Sequence, residues 1–364
     1  MTTQLLVTST VAETLLATAA TEAGLLGPAT DRVLVGPDDD PAEVAAALGH
    51  DVELVVGSRT LPAGRALSRL VGEAPVSLLA VGAAAYGPTS GALQGRLAKR
   101  VRQVLAVDLV AGLDPLLLSE RDVPTRHVPL EALRRAAAAW PGPAPVPHPT
   151  TLVLGRSAAW AGALDREEQA DLLVATVQRC AEAGHTRLVL LLDADAPGRT
   201  RRHLDNAARM SRADLVVVSD DSPVETWLAL DGIGLVVGSA TEDLLVARRV
   251  FRRPVAQLDS TVVLKHLDPS DPRRTPATLV DATVPDLRSW TSTPGGEPVA
   301  PVDLDGLMAA VAYVMEPALL VDRRPAALRF LEENPEVRRR FVRRRRLSEL
   351  RLPGGKRKVR PTLD

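Results

Sequence analysis

Twice along this chain, short apolar runs ending in Gly, Ser, Thr or Asp alternate with longer stretches whose apolar residues recur at helical spacing. A helix between two strands carries the chain back over the sheet, so such strands pair in parallel and the class is α/β. The first alternation runs "QLLVTST", "VAETLLATAATEAGLL", "DRVLVG", "AEVAAALG", "DVELVVGS", "GRALSRLVG" and "VSLLAVG", which predicts helices over residues 42–49 and 64–72 among others. The second begins at "TLVLGRS" and continues through "DREEQADLLVATVQRCAEAG", "TRLVLLLDADAPGRT", "ADLVVVSDDS", "IGLVVGSAT", "EDLLVARRVF" and "PVAQLDS".

Between them lies "WPGPAPVPHPT", with five prolines in eleven residues. Proline forbids a helix interior and is disfavoured in a central strand, so this stretch reads as a linker. At 364 residues the chain exceeds the size at which one core keeps growing. The expected division is residues 1–140 as an N-terminal Rossmann-like domain, 141–150 as linker, 151–330 as a C-terminal Rossmann-like domain and 331–364 as a basic tail.

Only nine residues are aromatic, which weakens any reading built on stacking against bases. The lone Cys180 excludes an internal disulfide and fits a reducing cytoplasm. The six histidines, His50, His127, His148, His185, His203 and His266, show no metal-ligand spacing, and neither a metal nor a cofactor is expected. No stretch supplies about 18 uninterrupted apolar residues for a membrane span, and the N-terminus lacks the basic start of a secretory signal.

The net charge of −1 hides an asymmetry. Residues 331–364 hold ten Arg and two Lys against four Glu and one Asp, a net of +7. Such a tail suits a helix on anionic lipid, a nucleic-acid contact, or simply a solvated or disordered end. Nucleic acid is the weakest of these, because no recognition helix or base-stacking module accompanies the charge.

In open parallel sheets ligands gather outside the carboxyl ends of the strands. The loops of interest are therefore "VTSTV", "AVGAAAYGPTSG", "LGRSAAW", "LLDADAPGRT", "VSDDSP" and "VVGSATED". Within the second, Tyr86-Gly87-Pro88-Thr89 opens a stretch to Pro124 that includes "DLVAGLDPLLLSE". This stretch resembles the bacterial alpha-2,8-polysialyltransferase-like family of capsule and surface-glycan sialyltransferases, and looser similarity continues to about residue 265.

The resemblance implies a GT-B architecture, two Rossmann-like doubly wound domains facing one cleft, with a CMP-activated sialic-acid-like donor on the C-terminal domain and no metal. It implies an acidic pair before Gly82 as general base, where this chain has Ala80 and Val81. It implies a His-Pro pair on the leaving nucleotide, where Ala196-Pro197 stands, and a hydroxyl pair at Ser239 and Thr241. An alkyl side chain takes no proton, so a sugar hydroxyl would need another carboxylate.

Asp193 and Asp195, which follow the strand "RLVLLL", are candidates for that role or for binding a ribose, and equally for capping the next turn. Gly155, Arg156, Ser157, Pro197 and Arg199 complete the donor side, with Arg201 and Arg202 close by. Gly82, Tyr86, Gly87 and Thr89 form the acceptor-side loop. Ser239 and Glu242 have capping-box spacing, and Glu242 with Asp243 would repel a phosphate there. Asp108, Asp114 and Glu120 suit a substitute base or ordinary turns, and Asp220-Asp221 suits a metal-binding pair or a strand-to-helix turn. The expected activity is glycosyl transfer from a nucleotide sugar to a glycan or glycolipid at the inner membrane face. The alternative is a non-catalytic nucleotide- or glycan-binding descendant that partners another protein.

Overall fold

A computed structural model describes residues 3–29, 31–35, 52–58, 74–89, 93, 97–156, 160, 162–219, 222–290 and 303–356. The helices expected over 42–49 and 64–72, together with Ser157, Asp220, Asp221 and residues 357–364, lie outside them.

The first sheet uses β1 (Thr3–Val7), β2 (Asp31–Val35), β3 (Val52–Gly57), β4 (Val76–Ala80), β5 (Val101–Ala106) and β6 (Thr125–His127), in the order β2-β1-β3-β4-β5-β6. Every pairing is parallel. Among the described helices, α1 (Val11–Glu22) and α2 (Leu130–Ala139) belong to this half and pack on each other. The central strands are not wholly apolar. Gln4, Glu53, Ser77 and Gln103 form a chain of side-chain bonds across four neighbouring strands, at 2.8, 3.1 and 2.9 Å. That chain satisfies polar groups which burial would otherwise leave costly.

After Pro141–Pro149, which contain neither helix nor strand, the second sheet begins. Its elements are β7 (Thr150–Leu154), α3 (Arg166–Glu182), β8 (Arg187–Leu191), α4 (Gly198–Met210), β9 (Asp214–Val218), α5 (Val224–Leu228), β10 (Ile233–Gly238), α6 (Asp243–Arg249) and β11 (Val255–Gln257). Asp165 starts α3 with a capping box to Glu168, and Gly184, at φ +87°, follows its end. The strand order is β11-β10-β7-β8-β9, again all parallel. The expected α/β class is therefore observed, as two doubly wound parallel sheets with flanking helices.

The remaining helices are α7 (Ser260–His266), α8 (Arg274–Thr283), α9 (Leu304–Met315), α10 (Arg324–Glu333), α11 (Pro335–Phe341) and α12 (Arg344–Glu349). Phe341, Leu347 and Leu352 are buried, and Arg340 pairs at 2.5 Å with Asp281, a fully buried carboxylate of α8. Arg346 donates to the Val314 carbonyl at 3.0 Å and Arg338 to that of Leu331 at 2.9 Å. The described part of the basic tail expected over 331–364 is therefore folded onto the protein, not a solvated or disordered end. Its apolar residues are spent inside the protein, and many of its arginines hold backbone carbonyls.

One buried apolar cluster runs through both halves. It joins Leu15, Leu16 and Ala136 on the first sheet's helices to Trp227, Leu244 and Leu279 on the second's. Removing such a surface from water is the main favourable contribution to holding the halves together.

Candidate functional site

The order of strands reverses between β1 and β3 in the first sheet and between β7 and β10 in the second, and a crevice opens at the carboxyl ends of such strands. In the second sheet this point is framed by Gly155-Arg156 and by Ser239-Ala240-Thr241. Gly155 allows a close approach of backbone: an added Cβ would stand 2.5 Å from the Leu191 carbonyl oxygen, which already accepts the Gly155 amide at 2.8 Å. Arg156 fastens the neighbouring loops, donating to the carbonyls of Ser222 at 2.9 Å and Leu192 at 3.3 Å.

Ser239 and Thr241 are both buried. Trp160 donates its indole N–H to the Ser239 carbonyl at 3.0 Å, and Ala240, at φ +51°, donates its amide to Ser260 at 2.8 Å. The Thr241 hydroxyl is engaged by Asp243 at 2.9 Å. The Ser239 hydroxyl has no partner among the described residues, so the expected capping box between Ser239 and Glu242 is absent. A buried donor left unpaired costs about 1–3 kcal/mol, so a ligand oxygen that paired with it would recover that cost.

Glu242 points elsewhere. Its Oε2 accepts the amide of Ala83 at 2.7 Å, 159 residues away on the first sheet. Residues Gly82–Tyr86 form a 3-10 turn directly after β4, with Gly82 at φ +64°. A Cβ on Gly82 would lie 2.2 Å from the Glu242 carboxyl carbon, so only glycine admits that carboxylate. Gly87, at the other end of the turn, is met by Thr275 of α8, whose Oγ1 would stand 2.8 Å from an added Cβ. Glu242 and Asp243 stand at the start of α6, and Glu242 has in addition an unforeseen role, contact between the two carboxyl edges.

The rest of the acceptor-side loop is scaffold. Tyr86 is 1% exposed, and its hydroxyl accepts the amides of Leu109 at 2.9 Å and Val110 at 3.0 Å. Burial pushes the phenol up, against those two hydrogen bonds. The Ala85 carbonyl takes the amides of Leu116 and Leu117, at 2.9 and 3.1 Å. Thr89, also buried, accepts the Leu118 amide at 2.8 Å and donates to Glu120 at 3.1 Å. Within the described part of the quoted stretch, Tyr86, Thr89, Leu109, Val110 and Leu116–Glu120 thus bind one another around one turn.

Asp193 and Asp195 lie on the exposed rim after β8. Loss of hydration is the first cause that raises Asp193, followed by the charge of Asp195, with Arg156 opposing both. Asp195 pairs loosely with Arg166 at 3.7 Å. Pro197 precedes the first turn of α4, which has no side-chain cap, and Arg199 is exposed on it. Asp108 is paired with Arg249, while Asp114 is exposed.

Glu13 escaped the reading of the sequence. It is fully buried at the first sheet's reversal point, where its carboxylate accepts the amide of Ser9 at 2.8 Å and the Ser9 hydroxyl at 3.1 Å. A Cβ on Gly57 would stand 2.0 Å from its carboxyl carbon. The Thr10-x-x-Glu13 spacing is the signal that could have found it, since Thr10 does cap α1.

No family model matches the chain, and no curated protein matches it. Solved structures do. A glycosyltransferase of Rickettsia africae is 12% identical over 94% of this chain and 99% of that one, with a TM-score of 0.41. The ADP-heptose lipopolysaccharide heptosyltransferase II of E. coli is 12% identical over 89% and 100%, at 0.34. Phytolacca americana UGT2, solved with UDP-2-fluoro-glucose and pterostilbene, is 10% identical over 91% and 94%, at 0.39. These scores decide nothing about activity, and the two-sheet architecture rests on the strand pairings themselves.

Two cavities, of about 470 and 300 Å³, lie away from these loops, against α11 and α12. Arg339 pairs there with Glu336, Arg340 with Asp281, and Arg345 and Arg346 with Glu349, while Arg343 donates to the Lys265 carbonyl. The unpaired Ser239 hydroxyl and the Glu242 carboxylate both follow β10 at its carboxyl end. No described helix is long and apolar enough to cross a membrane.

Proposed function

We propose that this protein is a GT-B-type glycosyltransferase that uses a nucleotide sugar. The observation that carries the reading is the Glu242–Ala83 contact, because it brings the carboxyl-end loops of two parallel sheets against each other. A donor held by one sheet and an acceptor approached from the other would react at that boundary, with water excluded. The donor would occupy the β7/β10 crevice, bounded by Gly155, Arg156, Ser239 and Thr241, with Pro197 and Arg199 at the start of α4 nearby. Asp193 and Asp195 would line the same loops, as ribose ligands or as base. The acceptor would approach Gly82–Thr89, whose shape Tyr86 and Thr89 maintain.

The polysialyltransferase-like resemblance favours a CMP-activated donor and a surface-glycan acceptor, and residues 1–140 and 151–330 would be the two domains. Contact with an anionic membrane would be electrostatic, through exposed cations such as Arg344 and Arg351, since the apolar side chains of that segment face inward. Flotation with anionic vesicles checks this: an R344E/R351E variant should float less than wild type, and equal flotation removes the membrane from the proposal.

The activity test is nucleotide release from a panel of UDP-, ADP-, GDP- and CMP-sugars, with and without glycan acceptors. Release stimulated by an acceptor supports transfer. Binding of a sugar nucleotide with no release from any donor would instead support the non-catalytic descendant.

A further inference from the structure

We infer that Ser260 is a positioning residue for nucleotide binding, holding the turn after β10 in the left-handed conformation that sets the Ser239 hydroxyl toward the donor's phosphate. The inference rests on the donor placement proposed above and names what fixes that site.

Ala240, at φ +51°, is 1% exposed. A residue with a Cβ is strained there and keeps the conformation only where its neighbours impose it. Two buried tethers do so. The Ser260 hydroxyl oxygen accepts the Ala240 amide at 2.8 Å, and the Trp160 indole N–H donates to the preceding carbonyl, that of Ser239, at 3.0 Å. Ser260 is fixed in turn. It is fully buried as the first residue of α7, and its amide donates at 3.1 Å to Oε1 of Gln257, the last residue of β11. The neighbouring Leu258 amide donates to the Gly238 carbonyl at 3.0 Å, so the ends of β10 and β11 move together.

The tethers consume the backbone groups on either side of the strained bond and leave one side-chain hydroxyl over. Thr241 is engaged by Asp243 at 2.9 Å, whereas the Ser239 hydroxyl is without a partner among the described residues. A strained turn and an unpaired buried hydroxyl, side by side, are each unfavourable in the free protein. A phosphate oxygen paired with Ser239 would offset the second.

Ser260 has no exposed surface, so it acts on the nucleotide through the turn and not by contact. Without its oxygen the turn leaves the left-handed region in part of the molecules. The nucleotide then binds only the fraction that retains it, and the apparent affinity falls by that fraction.

The test is calorimetric titration of the full chain with CMP, UDP, ADP and GDP, continued with whichever nucleotide wild type binds. Ser260→Ala should raise Kd about three- to tenfold, the range for one lost hydrogen bond. Adding Ala240→Gly, which admits the left-handed turn without a tether, should return Kd to within about twofold of wild type. In a Ser239→Ala background, S260A should change Kd by less than about 1.5-fold, because the hydroxyl it positions is gone. A merely structural Ser260 predicts a lower unfolding temperature for S260A with an unchanged Kd, and that result overturns the inference. So does an undiminished S260A effect in the S239A background, or no recovery with A240G. Should S260A fail to fold, Trp160→Phe removes the other tether while keeping the ring, and a wild-type Kd for W160F overturns the inference as well. Binding of none of the four nucleotides by wild type refutes the donor reading itself, which distinguishes the two failures.

Discussion

Arg249 of α6 reaches from the second sheet's half to the first's and pairs with Asp108 at 2.6 Å, while its Nε donates to the Asp108 carbonyl oxygen at 3.1 Å. Both side chains are partly exposed, at 38% and 32%, so solvent screening limits the pair. A double-mutant cycle of R249A and D108A, followed by urea unfolding, should give a coupling of about 1 kcal/mol or less, but not zero. Strict additivity would mean that the pair contributes nothing to joining the halves.

Tyr86→Phe removes one oxygen atom and leaves two buried amides, those of Leu109 and Val110, without an acceptor. At about 1–3 kcal/mol for each unsatisfied group, the variant should lose at least 2 kcal/mol. Wild-type stability in a denaturant titration would contradict the scaffold role given to this side chain.

The fold was legible where patterning is local. Apolar runs bounded by turn residues locate β1 to β4 and β7 to β11, whereas β5 and β6 were not read as strands, and the proline-rich stretch separates two alternations. Glu242 was not legible, because its partner lies 159 residues away and its spacing from Ser239 imitates a capping box. The C-terminal segment misled for another reason. Its charge is dense and local, while the residues that fold it, Phe341, Leu347 and Leu352, are few and find their partners on α7 to α10. The Tyr-Gly-Pro block was visible as a motif, but only coordinates assign its hydrogen bonds to scaffold.

Cys180 is buried among the apolar side chains of α3, and loss of hydration alone pushes its thiol from about 9 to about 12. A raised native pKa means that the folded state holds its proton longer. The thiol's contribution to stability is whole below pH 9 and is lost as pH rises toward 12. In alkylation at pH 8, the native protein should leave Cys180 unmodified, with reaction appearing only in denaturant. Rapid labelling of native protein would contradict the burial.

Phe341→Ala opens a cavity where α11 meets the core, and should cost about 3–5 kcal/mol by thermal or urea unfolding. A change under 1 kcal/mol would restore the solvated-tail description.

Hydrogen exchange of the full chain with and without a bound sugar nucleotide tests most directly whether the two carboxyl edges form one site. Added protection is expected at Gly155–Arg156 and at Ser239–Glu242 on one sheet and, in the same experiment, at Gly82–Ala83 on the other. Protection confined to the cavities against α11 and α12, or to one sheet only, would contradict it.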